Sequence, residues 1–309
     1  MLVTALTRPL TPTSPRRIHV IHRGPVSPSQ RPPLLFVHGG YVDARCWDLN
    51  LLPYFADHGY DCYAVDLSGH GHSEGRPVLD RLSLDDYLAD VLGVVKGLRE
   101  PPVLIGHSMG AVLAERVLER SRARAGVLMS PVPVNGTLES ATRLFVSHPS
   151  FLVAVAEISR GILDSRGLNA LREVYFTPRT PLQRLLEFAR LVQPESLRAV
   201  ADLAFLAWQW PSPTPDLPVF VIGGEHDRVF PPSMIARVAR RWHGELHIVP
   251  AAGHAMIVDD EWQACAAPVL GWLEKVVGEP RPASLIDEQP TDCHQAPIPT
   301  LDGACSAAS

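Results

Sequence analysis

The chain has 309 residues, 46% of them hydrophobic, and a formal net charge of −5. That is enough apolar material for a sizeable core, so general disorder is excluded, while the acidic balance argues against a nucleic-acid partner, which requires a basic stripe. Five cysteines, odd in number and without CxxC spacing, predict neither a disulfide framework nor a zinc site, and no apolar run is long enough to span a membrane. Without a charged start leading into an apolar signal segment, the expectation is a soluble cytoplasmic protein with no membrane partner.

Residues 1–33 are rich in proline, which makes them an arm in which only the alternating stretch Arg17–Arg23 is expected as an early strand. An ordered alternation follows. Leu34–Val37, Cys62–Val65, Val103–Ile105 and Gly126–Met129 are short apolar runs of strand length. Between them lie the helical patterns Trp47–His58, Leu84–Arg99 and Met109–Arg122. Continuous apolar strands separated by amphipathic helices predict a mostly parallel sheet covered on both faces. Over 131–215 the patterns are helical and broken by prolines, with helices expected at Phe151–Leu163, Leu168–Tyr175, Pro181–Val192 and Leu197–Trp208. The alternation then resumes with strands Pro218–Ile222 and Glu245–Val249 and helices Ser233–Trp242 and Trp262–Val277. The expected organisation is a core of 34–130 and 216–278, a helical cap of 131–215 inserted between two strands, and an aperiodic tail of 279–309.

Gly106-His107-Ser108-Met109-Gly110 lies between an apolar strand and a helical run. A serine on such a strand-to-helix turn adopts strained backbone angles, and small residues two before and two after it let the chain fold back. Its hydroxyl then projects from the carboxyl end of the sheet, above a helix N-terminus that favours developing negative charge. A Gly-rich turn merely capped by serine would explain the glycines but not their strand–helix setting.

Serine is a poor nucleophile at neutral pH and needs a general base oriented by a third group. Of the 13 histidines, His254 stands in a loop of small residues directly after the last expected strand, where a parallel sheet brings it to the edge carrying Ser108. Asp227 follows the preceding strand and its glycine loop, and is the expected acid; Glu225, Asp259 and Asp260 are rivals. For an oxyanion hole the expected donors are the backbone N–H groups of Met109 and of Gly40 in His38-Gly39-Gly40-Tyr41, with Tyr41 next in line. His38 is expected to organise its loop rather than to act as a base.

These pieces, with the loop Asp66-Leu67-Ser68-Gly69-His70-Gly71-His72-Ser73, resemble the α/β-hydrolase fold. The order Ser108, Asp227, His254 is that of one of the three unrelated triad arrangements, the one this fold carries. The resemblance implies an α/β-hydrolase core with an inserted cap, no metal or organic cofactor, and a structural role for the Asp66–Ser73 loop. Serine at the elbow, where epoxide hydrolases and haloalkane dehalogenases carry aspartate, disfavours both of those activities. The expected activity is hydrolysis of small to medium apolar or aromatic carboxylic esters through an acyl-enzyme. C–C bond or lactone hydrolysis, haloperoxidase-like perhydrolysis and ligand reception on the same fold are the alternatives. Tyr41, Trp208 and Trp210 are the expected substrate contacts, and the partner is a small-molecule ester.

Overall fold

The computed structural model describes residues 16–26, 29–120, 122–206 and 214–277. The chain divides into two units, Met1–Gly278 and Glu279–Ser309. All described residues belong to the first; the expected tail lies outside them.

Seven strands form one sheet: β1 (Val20–Arg23), β2 (Leu34–Val37), β3 (Cys62–Val65), β4 (Val103–His107), β5 (Ala125–Met129), β6 (Val219–Gly224) and β7 (Glu245–Val249). Their spatial order is β1-β3-β2-β4-β5-β6-β7. β1 is antiparallel to β3, and every other pairing is parallel. From β2 the chain crosses one way to β3 and then back past itself to β4. The β2–β4 boundary is therefore a switch point, where an open α/β sheet leaves a crevice at its carboxyl edge.

The central strands β2, β4, β5 and β6 are buried on both faces, and these strands alternate between two apolar clusters. Leu34, Phe36, Val103, Ile105 and Val127 pack with α1 (Arg45–Asp48), α2 (Leu51–Asp57) and α11 (Trp262–Val277). Leu35, Val37, Leu104, Leu128 and Val221 pack with α3 (Leu84–Gly97), α4 (Met109–Glu119) and α10 (Pro232–Arg241). With water excluded from both sides, the strands need no polar face, which is why they read as unbroken apolar runs.

Among the described residues, five helices stand between β5 and β6: α5 (Leu138–Ser147), α6 (Pro149–Ile158), α7 (Ser165–Tyr175), α8 (Leu182–Ala189) and α9 (Leu197–Ala204). Ser196 caps α9 by accepting from Ala199 N, and its hydroxyl donates to Leu82 O at 2.6 Å. The buried Asp202 accepts the Leu84 N–H at the start of α3. α9 is thereby tied to the loop entering α3.

Two expectations are corrected. The single helix expected over Trp47–His58 is two short helices, because buried Asn50 leaves the helical region and its amide donates to Ile257 O. α5 was not expected at all: only Ser140 and Leu144 of it are buried, so it shows no apolar stripe. Among the described residues no helix is long and apolar enough to cross a membrane.

Candidate active site

Ser108 stands between β4 and α4 with φ 53° and ψ −116°. The turn is enforced from both sides. A Cβ on Gly106 would lie 2.3 Å from Gly110 O, and one on Gly110 would lie 2.1 Å from Val37 O. Only glycine lets strand, turn and helix approach so closely. The Ser108 N–H donates to Met129 O at 3.0 Å, which fixes the elbow to the neighbouring strand.

His254 lies in the loop after β7 and Asp227 in the loop after β6, and the sheet's parallel pairing brings both loops to Ser108. Asp227 Oδ2 is 2.9 Å from His254 Nδ1, and His254 Nε2 is 3.2 Å from Ser108 Oγ. The carboxylate can only accept, so Nδ1 carries the proton and Nε2 is left as the acceptor for the serine hydroxyl. Asp227 Oδ1 accepts the Val229 and Phe230 N–H groups, both at 2.8 Å. The side chains of Asp227 and His254 are 0% and 5% exposed, so the pair is shielded from water. Around the imidazole stand the rings of Tyr175, Phe230 and His107, with centroids 4.9 to 5.3 Å away. Burial, and then the neighbouring His254, hold His107 down at about 3, so it is neutral. Its Nε2 donates to His254 O at 2.9 Å.

The rival acids have other partners. Exposed Glu225 accepts from Ala251 N, and buried Asp259 accepts from Thr180 Oγ1. Asp260 pairs with Arg184 at the surface. None of these three is bonded to His254.

Met109 is the first residue of α4 and presents one of the free N–H groups of a helix start. Gly39 packs against the elbow, where a Cβ would meet Ser108 Cβ at 3.2 Å. That close approach brings Gly40 beside the serine. Of the two oxyanion alternatives on this loop, Tyr41 is already committed: its N–H donates to Glu195 Oε2 at 3.3 Å. The Gly40 N–H meets no acceptor among the described residues. His38 is buried and neutral, its Nε2 accepting from Leu67 N and its Nδ1 donating to Gly39 O, so it organises the loop as expected.

A cavity of about 30 Å³ opens at Ser108 and His254, walled by Val42, Cys46, Tyr175, Phe188, Ile257 and Val258. Of the expected substrate contacts, Tyr41 is half-buried beside this region, whereas Trp208 and Trp210 lie outside the described residues. No cluster of three or more His, Cys, Asp or Glu among the described residues is placed to hold a metal ion.

Nothing in the residue pattern marks Glu195, a lone carboxylate between two helical patterns. In the fold it is fully enclosed. Its Oε1 accepts from Tyr87 OH and Ser196 N, both at 2.7 Å, and its Oε2 lies 3.2 Å from His70 Nε2. Burial opposes the charged form of each partner. Their mutual attraction outweighs it, raising His70 and lowering Glu195 relative to their ordinary values.

The alpha/beta hydrolase family model matches residues 34–267. A non-heme chloroperoxidase of Streptomyces lividans is 37% identical over 105 residues, covering 33% of this chain and 37% of that relative. A second, from Burkholderia pyrrocinia, is 23% identical over 267 residues, covering 74% of this chain and 87% of that protein. Among solved structures, a thermophilic esterase from Thermogutta terrifontis superposes with a TM-score of 0.64 at 19% identity, over 85% of this chain and 94% of its own. With the family model matching well over half of its length, and with the seven-stranded sheet behind it, this chain belongs to the alpha/beta hydrolase family.

Proposed function

We propose that this chain is a carboxylic-ester hydrolase that works through a serine acyl-enzyme on esters with small acyl groups. The single observation that carries this reading is the hydrogen-bonded row Ser108–His254–Asp227, facing a small apolar cavity. His254 Nε2 takes the Ser108 proton as Oγ bonds to the ester carbonyl carbon, and the carbonyl electrons move onto oxygen. The N–H groups of Gly40 and Met109 stabilise that oxyanion. On collapse the alcohol leaves with the proton from His254, and water, deprotonated by the same imidazole, releases the acid. Asp227 holds the working tautomer and stabilises the imidazolium.

The cavity is an order of magnitude smaller than the ~300–1,000 Å³ of pockets that enclose drug-sized ligands. That favours the short end of the small-to-medium range expected from sequence. Ser108→Ala is expected to fold normally and lose ester turnover by ~10⁴-fold or more. An organophosphonate is expected to label Ser108 in the native chain. Undiminished turnover in the alanine variant would sink the mechanism. The likeness to two chloroperoxidases favours a second reading, perhydrolysis, in which hydrogen peroxide replaces water at the acyl-enzyme. Peracid formation from a short carboxylic acid and hydrogen peroxide tests it.

A further inference from the structure

Tyr41 sits at φ 66°, a left-handed conformation that a bulky residue adopts only when its surroundings enforce it. The enforcement comes from the segment between α8 and α9. Gln193 N donates to Tyr41 O at 2.8 Å, and Glu195 Oε2 accepts the Tyr41 N–H at 3.3 Å. Both backbone polar groups of Tyr41 are thus held by the helical insert. Gln193 reaches further, its amide donating to Asp43 Oδ2 and accepting from Gly71 N. The same Glu195 oxygen lies 3.5 Å from where a Gly40 Cβ would stand, so the carboxylate is packed against the residue assigned as oxyanion donor.

We propose that Glu195, with His70 as its ion partner, is the positioning residue of the oxyanion turn: it pins Tyr41 so that the Gly40 N–H faces Ser108, and its charge must be balanced by His70 for the oxyanion to form. This rests on the ester-hydrolase reading. The groups facing His70 are Glu195 from the insert, His38 from the β2 loop, Tyr87 from α3 and Arg76 from the 3-10 helix Arg76–Arg81. Those facing Glu195 are His70, Tyr87 and Tyr41. His38 is held neutral by burial, and burial with the nearby Glu195 charge raises both tyrosines and keeps them neutral. His70 is then the group whose proton decides the charge beside Gly40. While His70 is protonated the pair is neutral. As pH rises and His70 loses its proton, an unbalanced buried carboxylate opposes the negative oxygen forming next to it, and acylation slows.

The experiment measures kcat and KM for p-nitrophenyl acetate from pH 6 to 10, together with the rate of Ser108 labelling by an organophosphonate. It compares the native chain with Glu195→Gln and Glu195→Ala. Glu195→Ala is expected to lower kcat and labelling by ~10- to 100-fold with KM nearly unchanged, as for a misplaced oxyanion donor. Glu195→Gln keeps an acceptor for Tyr41, and should restore most of that loss while abolishing the alkaline fall in rate. An alkaline limb that persists in Glu195→Gln overturns the proposal, even if Glu195→Ala fails to fold. So does a Glu195→Ala enzyme that differs only in KM. A native chain that neither turns over the ester nor takes the label overturns the hydrolase reading itself, and this proposal with it.

Discussion

Gly110 leaves no space for even a methyl group: it faces the carbonyl oxygens of Val37 and His38, which are backbone and cannot step aside. Gly110→Ala is therefore expected to destabilise the fold by ~2 kcal/mol or more, measured by urea unfolding. An unchanged midpoint would mean that the elbow is looser than its geometry. At Asp227 the expectation is kinetic. Asp227→Asn preserves packing but favours the wrong imidazole tautomer, so kcat should fall by ~10³- to 10⁴-fold with little change in KM. Asp259→Asn, whose carboxylate serves Thr180, should leave kcat nearly intact; the reverse ranking would reassign the acid. Ser108, His254 and Asp227 were legible from the sequence because each follows a strand in a glycine-rich turn, a pattern that chemistry imposes locally. Glu195 and His70 were not, because their significance comes from a contact between segments more than a hundred residues apart. His70 was recognisable only as part of a structural loop, and nothing around Glu195 separates it from a solvated surface acid.

α4 carries more than the elbow. Its Glu115 is buried against α10, where it accepts the Trp242 indole N–H, and Arg241 from α10 pairs with Glu119 one turn later. Burial raises Glu115 to about 7, against the opposing pull of Trp242, Arg241 and Arg116. A carboxyl raised by folding binds its proton more tightly in the native state. Its contribution to stability is therefore present below its unfolded value and is lost as pH rises through about 7. The native chain should lose up to ~3 kcal/mol from this group between pH 5 and 8, and Glu115→Gln should flatten that slope. Thermal unfolding at the two pH values checks it; parallel slopes in both proteins would mean the group stays charged throughout. The elements that the sequence did and did not disclose divide on the same physical ground. α10 and α11 were legible because each has a buried stripe, Met234, Ile235 and Val238 in the first and Cys265, Val269 and Leu273 in the second. α5 was illegible because Leu138, Phe145 and Val146 are exposed and its buried positions are only Ser140 and Leu144.

For the molecule as a whole, the parallel sheet was readable from the buried strand runs. The extent of the space above Ser108 was not, because its walls come from three separate stretches. Val42 and Cys46 follow β2, Ile257 and Val258 follow β7, and Tyr175 and Phe188 belong to the insert. Phe188 meets Tyr175 and Phe176 edge-on and walls the space beside Ser108. With p-nitrophenyl esters from acetate to palmitate, kcat/KM should peak at acetate to butyrate and fall by the octanoate. Phe188→Ala should move the maximum to a longer acyl chain, each newly accommodated methylene gaining about three- to fourfold from ~0.8 kcal/mol of burial. A maximum at palmitate in the native chain would mean that the insert opens in solution.

The elbow's partners come from the two ends of the described chain and from the stretch between β5 and β6, and this dispersal governs how activity is acquired. Gly40 and Ser108 are in place only when β2 and β4 have paired, and Asp227 and His254 only after β6 and β7 have been added to the far side of the sheet. Every one of these pairings is non-local, and such contacts form late because chain closure must precede them. A refolding chain should recover helical signal well before it can be labelled at Ser108, and the label should appear only in the slowest phase. During synthesis the same order is expected to leave the nascent protein inert until nearly the whole hydrolase core has been made. If Ser108 is the nucleophile proposed, it should stay silent in every partly folded state.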